Sequence, residues 1–115
     1  MGYELHITRA PHWTESKSQP ISLDEWLAYV ASDPEMRLDN FAEAEVGDDI
    51  LRYENEGLAV WVSYSGHVVD GNMAWFDYRS GRIVVKSPDR EIVSKMLHIA
   101  QALRARVIGD EGEFY

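Results

Sequence analysis

Cysteine is absent from this 115-residue chain, which excludes a disulfide framework and any thiolate metal site. Long apolar runs are absent too, and none approaches the roughly 18 residues of a membrane span. The opening residues, from Met1 to His6, carry no basic segment followed by an apolar one, so a secretory signal is not expected and a cytoplasmic location is. Positive charge is scarce. Eleven Lys and Arg stand against twenty Asp and Glu, a net charge of −9, which disfavours partners that need a basic surface, nucleic acid and anionic membrane among them. Nucleophile and phosphate motifs are missing as well. Gly-x-Ser-x-Gly does not occur, Gly71 and Gly81 are isolated, and Ser65-Gly66 and Ser80-Gly81 read as turns.

The four histidines (His6, His12, His67 and His98) supply no i, i+4 pair of the kind that holds zinc. His67 and Asp70 share an expected turn, where Gly-His and Asp-Gly are ordinary turn chemistry. Asp48-Asp49 lacks the alternating oxygen ligands and the glycine of a calcium loop. Carboxylates are so numerous that no pair among them singles out acid–base catalysis. No catalytic residue, metal or cofactor is therefore expected, and the chain reads as a binding protein and not as an enzyme.

What is present is an acidic middle. Residues 33–56 hold nine carboxylates (Asp33, Glu35, Asp39, Glu43, Glu45, Asp48, Asp49, Glu54 and Glu56) against Arg37 and Arg52. Seven of the chain's nine net negative charges lie there. Such a concentration attracts a basic partner over about a Debye length, roughly 8–10 Å at ordinary salt. A solvated face that keeps the protein soluble is the plainer reading of the same residues.

A hydrophobic fraction of 45% with four Trp, six Tyr and three Phe is a globular composition, and the length allows one core and one domain over residues 1–115. Tyr3, Leu5 and Ile7 alternate with polar residues as in a half-buried strand. Ser22 and Glu25 form a capping-box pair ahead of Leu23, Trp26, Leu27 and Val30, so a helix is expected over 22–33, ended by Asp33-Pro34. Residues 37–46 alternate loosely and read as a strand. Residues 58–64 read as a clearer one, with Leu58, Val60, Val62 and Tyr64 on one face and Trp61 on the other. Strands over 73–78 and 82–86 join through a glycine-containing turn. Ser87-Pro88-Asp89 is expected to cap a helix over 87–104 whose core face carries Ile92, Val93, Met96, Ala100 and Leu103, with His98 exposed. A strand over 105–108 and an acidic tail follow. The order β-α-β-β-β-β-α-β predicts an α+β fold, a mostly antiparallel sheet of five or six strands with both helices on one face.

If the helices cover the Leu58/Val60/Val62 face, Trp61 lies on the open side of the sheet beside carboxylates, the composition of an interaction hot spot. The alternative is that the segment from Ala10 to Pro20, anchored by Trp13, covers that side. The expected partner-binding set is Asp39, Glu43, Glu45, Asp48, Asp49, Glu54, Glu56 and Trp61.

The strings Tyr3-Glu4-Leu5-His6-Ile7-Thr8-Arg9, Ile21-Ser22-Leu23-Asp24-Glu25-Trp26-Leu27 and Ala105-Arg106-Val107-Ile108-Gly109-Asp110-Glu111-Gly112-Glu113 give the chain a general character that resembles the small acidic immunity proteins encoded beside bacterial polymorphic toxins. Folds differ within that class, so the resemblance transfers no catalytic residues. What it implies is that the chain binds one cognate toxin, often a basic nuclease, and covers its active site. Two other classes remain, a small ligand-binding domain or enzyme with a site on the open sheet face near Trp61, Trp75 and Tyr78, and an interaction module whose partner is not a toxin.

Overall fold

The computed structural model describes residues 3–69 and 73–115, and all their side chains except those of 44–46. Of the expected turn region from Gly66 to Asn72, residues 70–72 lie outside the described residues. The elements run β1 (Glu4–Thr8), α1 (Leu23–Ser32), β2 (Met36–Leu38), β3 (Phe41–Val46), β4 (Asp49–Glu54), β5 (Ala59–Trp61), β6 (Trp75–Arg79), β7 (Arg82–Lys86), α2 (Arg90–Ala102) and β8 (Arg106–Gly109), with a 3-10 turn at Trp13–Glu15. Six strands form an antiparallel sheet in the order β2-β5-β6-β7-β1-β8, and β3 and β4 form a separate two-stranded ribbon. The α+β class and the antiparallel sheet are as expected. Among the described residues no helix is long and apolar enough to cross a membrane.

The helix caps are built from local chemistry. The Ser22 hydroxyl accepts from the Glu25 amide at 3.1 Å, and the Glu25 carboxylate accepts from the Ser22 amide at 3.1 Å, closing the capping box of α1. Glu25 also pairs with Arg9 at 2.6 Å, and Arg9 donates to the Leu103 carbonyl at the end of α2. One guanidinium thus ties both helices to the strand that precedes it. The cap of α2 is Asp89, whose carboxylate accepts from the Ile92 amide at 2.9 Å, two residues later than expected. Ser87 does not cap the helix because its backbone is left-handed, at φ +45°, where an N-cap is extended as Asp89 is. Its amide still donates to the Tyr3 carbonyl at 2.6 Å, at the end of the sheet.

One face of the sheet packs on both helices. Leu5, Ile7, Phe76, Ile83, Val85 and Val107 meet Trp26 and Val30 of α1 and Ile92, Met96, Ile99, Ala100 and Leu103 of α2 in one core. The Trp26 indole donates to the Gly57 carbonyl at 2.7 Å. Gly57 has φ +92°, and a Cβ there would stand 2.9 Å from Tyr78 and 3.0 Å from Leu23, so glycine is required at that close approach.

The expected phase of the 58–64 strand is reversed. Only Ala59–Trp61 is strand, Ala59 and Trp61 belong to the helix-side core, and Val60 points the other way. Val60 is nevertheless fully buried, because the second face is covered there too. Alternation identifies the helix-facing side only where the opposite side meets water. The same applies to β1, where His6 and Thr8 are buried along with Leu5 and Ile7.

Candidate functional site

Five of the nine carboxylates over residues 33–56, Glu43, Glu45, Asp48, Asp49 and Glu54, lie on the β3–β4 ribbon. The expected strand over 37–46 is two strands broken at Asn40, which sits at φ +63°, and β4 has no counterpart among the expected elements. The ribbon turns through a two-residue loop, Gly47-Asp48, between paired Val46 and Asp49, with Gly47 at φ +63°. A left-handed first loop residue matches the twist of a hairpin, and glycine adopts it without strain.

Two strands alone are marginal in water, so the ribbon is held at its base. Asp77 on β6 is buried, and its carboxylate accepts from the Tyr53 hydroxyl at 2.9 Å, the Asn55 amide at 2.6 Å and the Arg79 guanidinium at 2.8 Å. Asn55 donates again to the Tyr78 carbonyl at 2.7 Å, and the Asp39 and Asn40 amides both donate to the Leu58 carbonyl. Burial, followed by the neighbouring Asp77 carboxylate, pushes the Tyr53 phenol above its ordinary value.

Beyond that base the ribbon stands in water, and every residue of β4 is exposed. Register places Phe41, Glu43, Ile50, Arg52 and Glu54 on one face, and Ala42, Leu51 and Tyr53 on the other. Arg52 is the ribbon's one basic residue. It lies 4.0 Å above the Phe41 ring and reaches Glu54 at 2.8 Å and Glu43 at 3.7 Å. Asp48 and Asp49 form the tip, and Ile50 and Leu51 beside them are 65% and 59% exposed. Glu45 lies in β3 opposite Ile50. At the base, Glu56 is exposed, and Asp39 is committed to Arg37 at 2.7 Å.

Trp61 is not part of this surface. It is 8% exposed and sits on the helix side of the sheet, its indole donating to Glu35 at 3.0 Å. Lys95 of α2 lies 5.8 Å from its ring centre and bonds Asp33 at 2.8 Å and Glu35 at 3.2 Å. The exposed strand aromatic expected there does not exist. Tyr78 is likewise turned to the helices, its hydroxyl donating to the Ile21 carbonyl. Of the expected open-face aromatics only Trp75 is on that side.

The face away from the helices has two halves. One is closed by the segment after β1, the alternative reading of Trp13. The Trp13 ring stacks on His6 at 4.4 Å and 6°, its indole donates to the Asp110 carbonyl at 3.1 Å, and the Arg82 guanidinium lies 5.1 Å from its ring centre. His6 is 1% exposed, and its Nε2 is 2.8 Å from Asp110. Arg82 can only donate, so His6 Nδ1, 3.2 Å away, is the acceptor and Nε2 carries the hydrogen. Burial above all, with Arg82 adding to it against the pull of Asp110, lowers the His6 pKa. Ligand atoms of Glu4, His6 and Asp110 lie within 4.8 Å of one another, a juxtaposition that no spacing in the sequence signals. With Arg82 on Nδ1 and Arg79 at 3.8 Å from Glu4, two guanidiniums face that group, and the geometry is that of a closed hydrogen-bond network and not of a cation site. His67 is half-buried and remote from this network, and His98 is exposed as expected.

The other half of that face is roofed by the ribbon. Ala42 and Tyr53 overhang Leu58, Met73, Trp75, Asp77, Arg79, Val84 and Lys86 around a cavity of about 480 Å³.

No protein-family model, curated protein or solved structure matches the chain.

Proposed function

We propose that the protein is a binding module that takes a basic protein partner on the β3–β4 ribbon, and that the partner is a cognate toxin which this chain neutralises. The observation that carries the reading is the exposure of Ile50 and Leu51 among Glu43, Asp48, Asp49 and Glu54 on a projecting hairpin. A face that served solubility alone would gain nothing from two large apolar side chains at its tip. Ile50, on the ribbon face that carries Glu43, Arg52 and Glu54, is an apolar side chain inside a charged rim, the anatomy of a protein interface, and Leu51 extends the apolar tip to the opposite face. The carboxylates also discourage edge-to-edge pairing of the ribbon's open strands, so they protect the surface until its partner arrives. The binding role, as opposed to catalysis, rests on the commitment of the buried ionisable groups to one another: Asp77 to three donors, Lys95 to two carboxylates, and His6 to Asp110 and Arg82. The choice of a toxin as partner rests on the resemblance to immunity proteins.

The test is coexpression. The product of the adjacent gene, produced in a bacterial host, should arrest growth alone and should not do so with this chain present. The two should then co-elute. A variant with Glu43, Asp48 and Asp49 changed to lysine should protect poorly. Growth unaffected by that product, or arrest that the wild-type chain does not relieve, contradicts the toxin reading. Protection undiminished in the triple variant contradicts the ribbon as the surface.

A further inference from the structure

We propose that the cleft between the ribbon and the sheet is a binding site for a small planar aromatic carboxylate. It is a second surface, on the inner side of the hairpin, and it does not depend on the partner reading.

The cleft has two fixed walls. Its floor is Trp75, Val84 and Leu58, side chains of the sheet face that the Trp13 segment leaves uncovered. Its roof is Ala42 and Tyr53, a directly opposed pair on the ribbon. Tyr53 does not swing freely, because its hydroxyl is bound to Asp77 at 2.9 Å. A volume of about 480 Å³ lies within the ~300–1,000 Å³ of small-molecule sites, and the mixture of apolar walls and a few polar groups is that of such sites.

Charge selects the ligand. Three charged residues line the cleft: Asp77, Arg79 and Lys86. Asp77 is saturated by Tyr53, Asn55 and Arg79 and has nothing left for a cation. Arg79 is shared between Asp77 and Glu4. Glu4 stands opposite Lys86 in the sheet but is turned to Arg79, and among the described residues Lys86 forms no ion pair. The register that places Asp77 opposite Val84 places Trp75 opposite Lys86. An indole face beside an uncommitted ammonium suits a ring that stacks on Trp75 while its carboxylate meets Lys86. In a chain of net charge −9, an anion is repelled by most of the surface, which makes this locally cationic lining a selective feature.

The experiment is a titration of the isotopically labelled protein with indole-3-carboxylate, with neutral indole-3-carboxamide in parallel, followed by amide and indole N–H correlation spectra. Saturable shifts are expected at Trp75, Tyr53, Val84 and Lys86, and the carboxylate should bind about fivefold or more tightly than the carboxamide. Lys86→Gln should erase that preference and keep ring binding. Ala42→Leu, which fills the cleft from its half-exposed wall, should abolish both. Absence of saturable shifts up to about 10 mM, shifts confined to the helix side, or a preference that survives Lys86→Gln would overturn the proposal.

Discussion

His6 is held neutral by its neighbours: a proton on Nδ1 would face the Arg82 guanidinium at 3.2 Å, donor against donor. Because burial lowers its pKa in the folded chain below the ordinary 6.5, the unfolded chain binds the proton more readily. The stability tied to neutral His6 is therefore complete above about pH 6.5 and is lost as pH falls from there through the folded value. Glu4, Asp110 and Arg82 face the ring, and Asp110 is held below the usual carboxylate range against its own burial by the Glu4 amide and His6, so its protonation belongs to a lower pH window. The urea midpoint of the wild type should drop between pH 7 and pH 5, and that drop should shrink in His6→Gln, at a cost of about 1–3 kcal/mol at pH 7. An undiminished drop in the variant would assign the titration elsewhere. Lys95 poses the complementary case. It is 7% exposed and paired with Asp33, so Lys95→Met leaves a nearly buried carboxylate without its cation, held only by the Tyr29 hydroxyl and the Glu35 amide, and should cost about 2–4 kcal/mol. Adding Asp33→Asn should recover part of the loss, which a double-mutant cycle of unfolding free energies measures. The sequence conceals Lys95 because helical periodicity identifies a buried position and not whether its charge finds a partner from a distant loop.

Among the elements, the ribbon depends most on a single residue outside itself. Asp77→Ala removes the acceptor shared by Tyr53, Asn55 and Arg79 and should destabilise the fold by about 1–3 kcal/mol. Amide exchange should quicken in β4 well before it does in β7, since the core that carries β7 does not pass through Asp77. Equal acceleration in both strands would show that ribbon and sheet open together. Legibility follows the same division. Both helices, β1, β6, β7 and β8 are readable because capping residues and apolar periodicity mark them locally. The split at Asn40 is not, because residues 37–46 alternate well enough for one strand and only tertiary pairing sends β2 to the sheet and β3 to the ribbon. β4 is hidden by its charge: an exposed strand has no buried face to imprint a period of two. The phase of β5 misleads because both faces of that strand are covered.

Across the molecule, charge and burial are segregated. The helix side closes over a conventional core, the Trp13 segment seals half of the second face, and the carboxylates stand on a hairpin that projects from the remaining half. The concentration of acid between Asp33 and Glu56 is legible as a surface, and its division is not. Asp33 and Glu35 are spent on Lys95, Asp39 on Arg37, and Glu43, Asp48, Asp49 and Glu54 face water, with Arg52 shared between Glu43 and Glu54. The proposed function turns on these last carboxylates, which steer a basic partner onto the ribbon. Stopped flow reads that steering as the association rate of the partner across a salt series, for the wild type and for the variant with Glu43, Asp48 and Asp49 changed to lysine. The wild-type rate should fall steeply with salt, and the variant should associate about tenfold more slowly at low salt, with a flatter dependence and a nearly unchanged unfolding midpoint. Identical rates for the two proteins at every salt concentration would contradict steering and leave the acidic ribbon as a solvated face.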